Sequence, residues 1–247
     1  MVPSYRLAIF DFDGTLADSW QLMGRAMNDA ADLFGYRRLS PGEAQALRGQ
    51  DNRTVMAAMG VKVWQLPRIV MHMRAVALQR ADEITLFPGV DGMLRAAAAA
   101  GVHIAVVSSN EEAVIRRVLG PDLTPLVRDF DCGAAIFGKA AKFRRVVRRS
   151  GVAPASAVCV GDETRDIDAA ATAGVASVAV TWGCATRPLL DSRSPTHVVS
   201  SVSELTASLV EGWGPLSQRG PSSAGLGEPA LPIALPSSGW QDAPSDT

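Results

Sequence analysis

Short apolar segments alternate with helical patterns over most of this chain, and this alternation restricts the fold more than any other feature. Strands buried on both faces have such apolar segments, and alternation with helices of about ten residues is typical of βαβ crossovers in a parallel sheet. The sequence therefore predicts an α/β fold, in which ligands bind beyond the carboxyl ends of the strands. The predicted strands are Leu7–Phe10, His103–Val107, Ala157–Val160, Val175–Val180 and, more weakly, His197–Val199, and the predicted helices are Val90–Ala100, Glu111–Leu119, Ala140–Arg149 and Thr164–Ala173.

Residues 17–85 interrupt this alternation with a long segment whose patterns are wholly helical. Within it, residues 40–43 (Ser-Pro-Gly-Glu) have the pattern of a capping box, and Pro67 can open a further helix. A helical insertion of this length directly after the first strand predicts a small separate domain rather than a loop. Its apolar positions are Leu22, Ala26, Ala30, Leu33 and Phe34 on one helix and Ile69, Met73, Val76 and Ala77 on another.

The C-terminal segment, residues 214–247, differs in composition from the rest of the chain. Half of its residues are Gly, Pro or Ser, and few are charged. Such a segment cannot bury enough apolar surface to offset the entropy lost on ordering it, so we predict that it is disordered. The expected organisation is therefore a core of residues 1–16 and 86–213, an all-helical insertion of residues 17–85, and this tail.

The overall composition argues against several functional classes. With 24 basic and 25 acidic side chains, the chain has a net charge of −1 and no field that would favour nucleic acid or an anionic membrane. The three cysteines include no C-x-x-C pair, so we expect reduced, buried thiols, with a catalytic thiol as the alternative. The N-terminus lacks the pattern of a signal peptide, and glycines interrupt the longest uncharged run, residues 169–186. We expect a cytoplasmic protein.

Two carboxylates follow the first predicted strand directly, in the segment Asp11-Phe12-Asp13-Gly14-Thr15. Residues two apart in an extended segment project to the same side, so Asp11 and Asp13 can face one site. Two carboxylates at the end of a strand need a cation or a shared proton to coexist. The alternative is a turn that carries solvated acids.

A second acidic segment, Gly161–Asp166, follows the strand at 157–160. Asp162 and Asp166 lie four residues apart, so they share one face if a helix begins near Asp162, although acids at this position also suit simple helix capping. Because both acidic segments follow strands of one sheet, three or more carboxylates are expected to converge. Oxygen ligands without a nearby histidine favour Mg²⁺ over zinc, and the candidate ligands are Asp11, Asp13, Asp162 and Asp166.

Two further segments could hold a phosphate group. Ser108 and Ser109 end the strand at 103–107, where hydroxyls and backbone N–H groups meet the start of a helix, although an ordinary helix cap is the alternative. The chain has only three lysines among 24 basic residues, and two of them, Lys139 and Lys142, lie around the start of a predicted helix. Either lysine could equally be a solvated surface residue.

The order of these motifs (D-x-D-G-T, a serine at a strand end, a lysine, then G-D-x-x-x-D) resembles the haloacid dehalogenase superfamily over about residues 5–210. Residues 86–90 (Leu-Phe-Pro-Gly-Val) look like the cap exit of its phosphoglycolate-phosphatase-like members. The resemblance implies a Rossmann-like parallel sheet flanked by helices, with an inserted all-helical cap. It also implies roles for single residues: Asp11 as nucleophile, Asp13 as general acid and base, Ser108, Ser109 and Lys139 as phosphate ligands, Asp162 as a Mg²⁺ ligand and Asp166 as a further acid of the metal site.

Lys139 is preferred to Lys142 because it lies on the loop side of the helix start, although no proline follows it as is common in this family. The function that the resemblance implies is Mg²⁺-dependent hydrolysis of a small phosphomonoester, such as phosphoglycolate, through an aspartyl-phosphate. A dehalogenase of this family would not need the second acid, so the presence of Asp13 argues against that activity. A phosphomutase and a non-catalytic binding module stay as alternatives. In this family the cap sets specificity, so Arg48 and Arg53 are candidates for a second anionic group of a small phosphorylated metabolite. The sequence does not indicate an oligomeric state.

Overall fold

The computed structural model describes residues 5–50, 52–133 and 138–212, without the side chains of Asn52 and Arg53. The predicted disordered tail, residues 214–247, lies outside the described residues. Within the described ranges, no helix is both long enough and apolar enough to cross a bilayer.

Strands and helices alternate along most of the chain. The strands are β1 (Leu7–Phe10), β2 (Ala17–Asp18), β3 (Thr85–Leu86), β4 (His103–Val107), β5 (Val127–Asp131), β6 (Ala157–Gly161), β7 (Ala176–Val180) and β8 (His197–Val199). The helices are α1 (Trp20–Phe34), α2 (Pro41–Ala46), α3 (Asn52–Ala58), α4 (Leu66–Gln79), α5 (Val90–Ala99), α6 (Glu112–Leu123), α7 (Gly138–Ser150), α8 (Thr164–Ala173), α9 (Arg187–Asp191) and α10 (Val202–Glu211).

Six strands form one parallel sheet in the order β5-β4-β1-β6-β7-β8, so β1 lies in its interior between β4 and β6. Successive side chains of β1 pack on opposite faces of the sheet. Leu7 and Ile9 pack with Phe143 of α7, whereas Ala8 and Phe10 pack on the other face, in a core that includes residues of α5, α6 and α10. This arrangement confirms the predicted α/β fold with a Rossmann-like parallel sheet.

The predicted elements of the core agree with the structure to within two residues at each end, apart from α6. That helix continues to Leu123 across a kink at Gly120, whose backbone is not helical. Strand β5 was not predicted, because its sequence mixes apolar and acidic residues. It lies at the sheet edge, where Arg145 binds the carboxylate of Asp131 and Arg149 binds that of Asp129.

The insertion is not wholly helical, and this part of the prediction is wrong. Its first and last residues pair as the antiparallel strands β2 and β3, which bring the two ends of the insertion together. The predicted capping box at Ser40 is present, with Glu43 accepting a hydrogen bond from the Ser40 backbone at 2.8 Å. Leu33 was placed on the buried face of α1, yet it is 66% exposed, because Phe34 is the residue that packs beside His72 of α4.

The insertion has a small apolar core of its own. Ala30 and Ala31 of α1 pack there with Met59, which follows α3, and with Ile69 of α4. The hydroxyl of Tyr36 donates a hydrogen bond to the backbone carbonyl of Met27 at 2.6 Å, so the chain after α1 is held against this core. The helices of the insertion therefore pack on one another as well as on the sheet domain.

Candidate active site

Three of the predicted acidic residues meet at the carboxyl edge of the sheet. Asp11 follows β1, Asp162 follows the adjacent strand β6, and Asp166 lies in the first turn of α8. One carboxylate oxygen from each of the three lies within 4.8 Å of the others, and all three side chains are buried. The convergence follows from the topology, because neighbouring parallel strands end at the same edge.

Asp11 has one carboxylate oxygen without a hydrogen bond. Its Oδ1 accepts a hydrogen bond from the backbone N–H of Phe12 at 2.8 Å. Its Oδ2 is buried and accepts no hydrogen bond among the described residues. The Nζ of Lys139 lies 2.8 Å from this oxygen as an ion pair, without hydrogen-bond geometry. Oδ2 therefore keeps lone pairs that a metal ion or a reacting atom can use.

Asp162 and Asp166 are fixed by hydrogen bonds from their surroundings. The hydroxyl of Thr15 donates to Asp162 Oδ1 at 2.8 Å, and the backbone N–H of Cys184 donates to Asp162 Oδ2 at 2.7 Å. Lys139 donates to Asp166 Oδ1, and the backbone N–H of Glu163 donates to Asp166 Oδ2 at 3.1 Å.

The pKa values of these two acids reflect a shortage of positive charge. Burial raises the pKa of Asp162 well above its ordinary value, and the charges of Asp11 and Asp166 add to this effect. Burial also raises the pKa of Asp166, against the opposing effect of Lys139. Three buried carboxylates share one ammonium group here, so a divalent cation with oxygen ligands fits the electrostatics of the cluster.

Two glycines allow the backbone to pack directly against Asp162. Gly14 has a φ of +78°, and a Cβ on it would lie 2.2 Å from Oδ2 of Asp162. A Cβ on Gly183 would lie 2.3 Å from both the Cβ of Asp162 and the carbonyl oxygen of Gly14. Side chains at these two positions would push Asp162 away from the other acids.

Asp13 lies apart from the three-acid cluster. Ser19 donates a hydrogen bond to its Oδ1 at 2.7 Å, and the side-chain amide of Asn110 donates to its Oδ2 at 3.5 Å. Burial raises the pKa of Asp13 and the charge of Asp11 adds to this, while the hydrogen bonds from Ser19 and Asn110 lower it in part. Its carboxyl group lines a cavity of about 700 Å³, so it can hold a proton where a ligand would bind.

The two lysines of α7 have different surroundings. Burial alone would lower the pKa of Lys139, but the charges of Asp11 and Asp166 raise it above its ordinary value. Lys142 is 3% exposed and donates to the backbone carbonyls of Ser108 at 2.7 Å, Asp131 at 3.1 Å and Gly133 at 2.6 Å. Lys139 therefore faces the acids, whereas Lys142 binds the backbone that follows β4 and β5.

The two serines after β4 differ in exposure. Ser108 is buried, and its hydroxyl accepts a hydrogen bond from the backbone N–H of Asn110 at 2.9 Å. Ser109 is exposed and lines both the larger cavity and a smaller one of about 410 Å³. Ser108 and Lys139 line the smaller cavity, so both predicted serines lie beside the predicted lysine.

Arg48 is the predicted specificity residue that the structure describes. It lies on the wall of the larger cavity, where its guanidinium donates a hydrogen bond to the carbonyl of Gly183. The next residue, Gly49, donates its backbone N–H to the sulfur of Cys184 at 3.3 Å. This part of the insertion thus contacts the loop after β7, whose Cys184 N–H also donates a hydrogen bond to Asp162. The side chain of Arg53 is outside the described residues.

Several residues that fix the site were not assigned a role from the sequence. Thr15 lies inside the D-x-D-G-T motif, and Asn110 directly follows the two serines after β4, so their place in the sequence could have indicated a role. No sequence pattern marks Ser19, because its hydroxyl reaches Asp13 only through the turn that leads into α1. The indole N–H of Trp182 donates to the carbonyl of Thr15 at 3.1 Å, and its partner is 167 residues away along the chain.

The cysteines do not provide a reactive nucleophile. Burial raises the pKa of Cys132 to about 12 and that of Cys184 to about 11. Burial also raises the pKa of Cys159, which packs in the apolar core. All three therefore stay protonated near neutral pH, which argues against the alternative of a catalytic thiol.

Comparison with protein families and curated proteins gives long matches. The haloacid dehalogenase-like hydrolase family matches residues 8–180. A phosphoglycolate phosphatase of Synechococcus elongatus is 32% identical over 204 residues, which cover 82% of this chain and 96% of that protein. The tyrosine-protein kinase PtkA of Mycobacterium tuberculosis is 28% identical over 212 residues, which cover 83% of this chain and 73% of that protein.

Solved structures share the fold over most of the chain. A predicted phosphatase from Clostridium acetobutylicum has a TM-score of 0.74 at 19% identity and covers 84% of this chain and 99% of that one. CbbY from Rhodobacter sphaeroides, solved in complex with phosphate, has a TM-score of 0.67 at 20% identity, with the same coverage. At these identities the structural likeness concerns the fold alone.

Proposed function

The chain belongs to the haloacid dehalogenase-like hydrolase family and is a phosphatase, and we propose that it hydrolyses a small, phosphoglycolate-like phosphomonoester with Mg²⁺ through an aspartyl-phosphate on Asp11. One observation carries the proposal most directly. Oδ2 of Asp11 is buried, accepts no hydrogen bond among the described residues, and lies 2.8 Å from Nζ of Lys139. An oxygen held in this way is suited to attack a phosphorus atom whose charge the lysine offsets.

We assign Asp11 and Asp162 as the protein ligands of Mg²⁺. When bound there, the ion would offset the charges of the carboxylates and the phosphoryl group, so that one anion can approach another. Asp166, the third acid of the cluster, is a further candidate ligand, and because it binds the ammonium of Lys139 and the N–H of Glu163 it also fixes Lys139 beside the other two acids. Asp13, which is held by Ser19 and Asn110, keeps its carboxyl for proton transfer.

The first chemical step forms the covalent intermediate. Oδ2 of Asp11 attacks phosphorus, and the bond between phosphorus and the ester oxygen breaks as Asp13 donates its proton to that oxygen. The raised pKa of Asp13 keeps a larger fraction of this residue protonated at the start of the reaction. Lys139, Ser108 and Ser109 are the proposed ligands of the phosphoryl oxygens.

The second step regenerates the enzyme. Asp13, now ionised, accepts a proton from a water molecule as that water attacks the phosphorus of the aspartyl-phosphate. The bond between phosphorus and Oδ2 of Asp11 breaks, inorganic phosphate leaves, and both acids return to their starting states. This division of labour requires two acids with different surroundings, as Asp11 and Asp13 have here.

We propose that the insertion, residues 17–85, acts as a cap over this edge of the core, residues 1–16 and 86–213. Support comes from the larger cavity, which has walls from both parts, and from the hydrogen bond between Arg48 and Gly183. Arg48, and Arg53 five residues further along the chain, are the proposed contacts for a carboxylate on the substrate. Phosphoglycolate, the substrate in the name of the Synechococcus relative, has such a group.

The test of this proposal is release of inorganic phosphate from a panel of phosphorylated metabolites, measured with the full chain and Mg²⁺. We expect release from at least one short phosphomonoester and none above background from Asp11→Asn. An isomeric phosphate ester without free phosphate would identify a phosphomutase instead. Binding without any reaction would identify a non-catalytic module, and either result contradicts the proposal.

A further inference from the structure

We infer that the cap side of the larger cavity also accepts phosphomonoesters whose leaving group is an apolar chain of several carbons, an inference that rests on the proposed phosphatase function and extends it beyond short esters that carry a carboxylate. The larger cavity has a mixed lining, in which apolar side chains of the insertion and the core stand beside charged and polar ones. Four of the eight methionines of the chain line it, together with an isoleucine of α4 and an indole that follows β7. These residues are Met23, Met27, Met56, Met73, Ile69 and Trp182.

The methionines present an adaptable apolar surface to the cavity. Met23 and Met27 lie on α1, Met56 on α3 and Met73 on α4, so all four come from the insertion, and each is only partly buried. Unbranched thioether side chains fit ligands of irregular shape, and they suit surfaces that bind more than one apolar group. The hydrogen bond to Thr15 fixes the indole of Trp182, which lines the same cavity. The cavity therefore has both adaptable and fixed apolar side chains in its lining.

The arginines that line the same cavity have partners among the described residues. Arg74 lies 3.4 Å from the carboxylate of Glu111, Arg165 binds Glu163, and Arg48 donates to the carbonyl of Gly183. Each arginine that lines the cavity in the described part of the chain therefore keeps a partner when an apolar chain occupies the space.

The size of the cavity points in the same direction. A volume of about 700 Å³ lies within the range of sites that enclose ligands of drug size. The two-carbon leaving group of phosphoglycolate would leave most of the methionine wall uncovered. A linear or aromatic leaving group of several carbons would cover it while the phosphoryl group stays beside Asp11 and Asp13.

The test is a series of unbranched alkyl phosphates (methyl, propyl, butyl and hexyl), with phosphoglycolate alongside, assayed for phosphate release by the full chain with Mg²⁺. The leaving groups of the alkyl series have similar reactivity, so differences in kcat/KM report contacts with the carbon chain. We expect kcat/KM to rise about threefold to fourfold for each added methylene until the cavity is filled. A series in which kcat/KM does not rise with chain length would overturn the inference.

Two variants of α4 localise the effect. Met73→Gln should lower kcat/KM for hexyl phosphate by about fivefold or more while changing that for methyl phosphate less than about twofold. Met71→Gln is the matched control, because Met71 is on the same helix, is 70% exposed and should leave the whole series unchanged. If Met73→Gln does not fold, as judged by its thermal transition, Met56→Gln replaces it.

The outcomes separate the inference from the function on which it rests. Phosphate release from every ester without dependence on chain length, or an equal loss in both variants, overturns the apolar subsite alone. No release from any ester of the series, from phosphoglycolate or from p-nitrophenyl phosphate overturns the proposed function as well.

Discussion

Nζ of Lys139 lies 2.8 Å from Oδ2 of Asp11, and the same ammonium group donates a hydrogen bond to Asp166. One partly buried cation therefore connects the proposed nucleophile, which follows β1, with an acid of α8. Lys142, one helical turn further along α7, binds three backbone carbonyls and is not in contact with either acid. Lys139 thus has contacts that suit a residue of the site, whereas Lys142 has contacts that suit a structural residue.

We expect Lys139→Ala to lower kcat/KM by about 10²- to 10³-fold in the presence of Mg²⁺, because the phosphoryl oxygens lose a preorganised positive charge. The measurement is the initial rate of phosphate release, with circular dichroism to show that the variant is folded. Activity within a few-fold of that of the unmodified chain would show that Lys139 does not contact the phosphoryl group.

Lys142→Met should instead reduce stability. The substitution removes the donor that three backbone carbonyls share, one of which, that of Asp131, keeps the N–H of Ser108 at 3.4 Å. The free energy of unfolding should therefore fall by about 2–3 kcal/mol. Urea titration of the two lysine variants and the unmodified chain measures this quantity. If Lys142→Met unfolds at the same urea concentration as the unmodified chain, the three hydrogen bonds do not have the structural role assigned to them.

Asp162→Asn should weaken Mg²⁺ binding by about 100-fold or more, since loss of residues that merely support a metal ligand already costs 10- to 100-fold. Asp168→Asn is the control, because Asp168 is an exposed acid on α8 outside the three-acid cluster. Isothermal titration with Mg²⁺ gives both affinities without any assay of activity. Equal affinities for the two variants would remove Asp162 from the metal site.

Gly183→Ala tests the close packing around Asp162 without removing any functional group. The added Cβ would lie 2.3 Å from the Cβ of Asp162, so the acid must move and both Mg²⁺ affinity and kcat should fall. Gly92→Ala is the matched control, because a Cβ there meets nothing within 4 Å. That change in α5 should be neutral or should stabilise the protein by about 0.5–1 kcal/mol. Full Mg²⁺ affinity in Gly183→Ala would contradict the packing argument.

Features with a local signature could be predicted from the sequence. The apolar run at 7–10 and the acids that follow it indicate a buried strand that ends at a site, and the parallel sheet then brings Asp11 and Asp162 to one edge. Features that depend on distant partners could not be predicted. Strand β5 is an example, because its acids are tolerated only where Arg145 and Arg149 of α7 bind them.

The candidate site shows the same limit. The spacing of Asp11 and Asp13 predicts that both face one site, but it does not show that they have different partners. Asp13 accepts hydrogen bonds from Ser19 and Asn110, which do not bind the other acids, and these two partners reach Asp13 only in the folded chain. The identity of the cavity wall also depends on how α1, α3 and α4 pack, since no pattern in the sequence distinguishes a cavity-lining methionine from one in the core.

We propose that Asp11 becomes phosphorylated while Asp13 transfers the protons. Rapid-quench analysis of Asp13→Asn with p-nitrophenyl phosphate separates these two roles. This ester needs little protonation of its leaving group, so we expect a burst of about one p-nitrophenol per active site, a phosphoryl group on Asp11, and then turnover slower by about 10²- to 10⁴-fold. Asp11→Asn should show neither burst nor phosphoenzyme. The contrary result is an Asp13→Asn variant that is folded and binds Mg²⁺, yet turns over p-nitrophenyl and alkyl phosphates at the rates of the unmodified chain without phosphate on Asp11. That result would contradict the roles proposed for both acids.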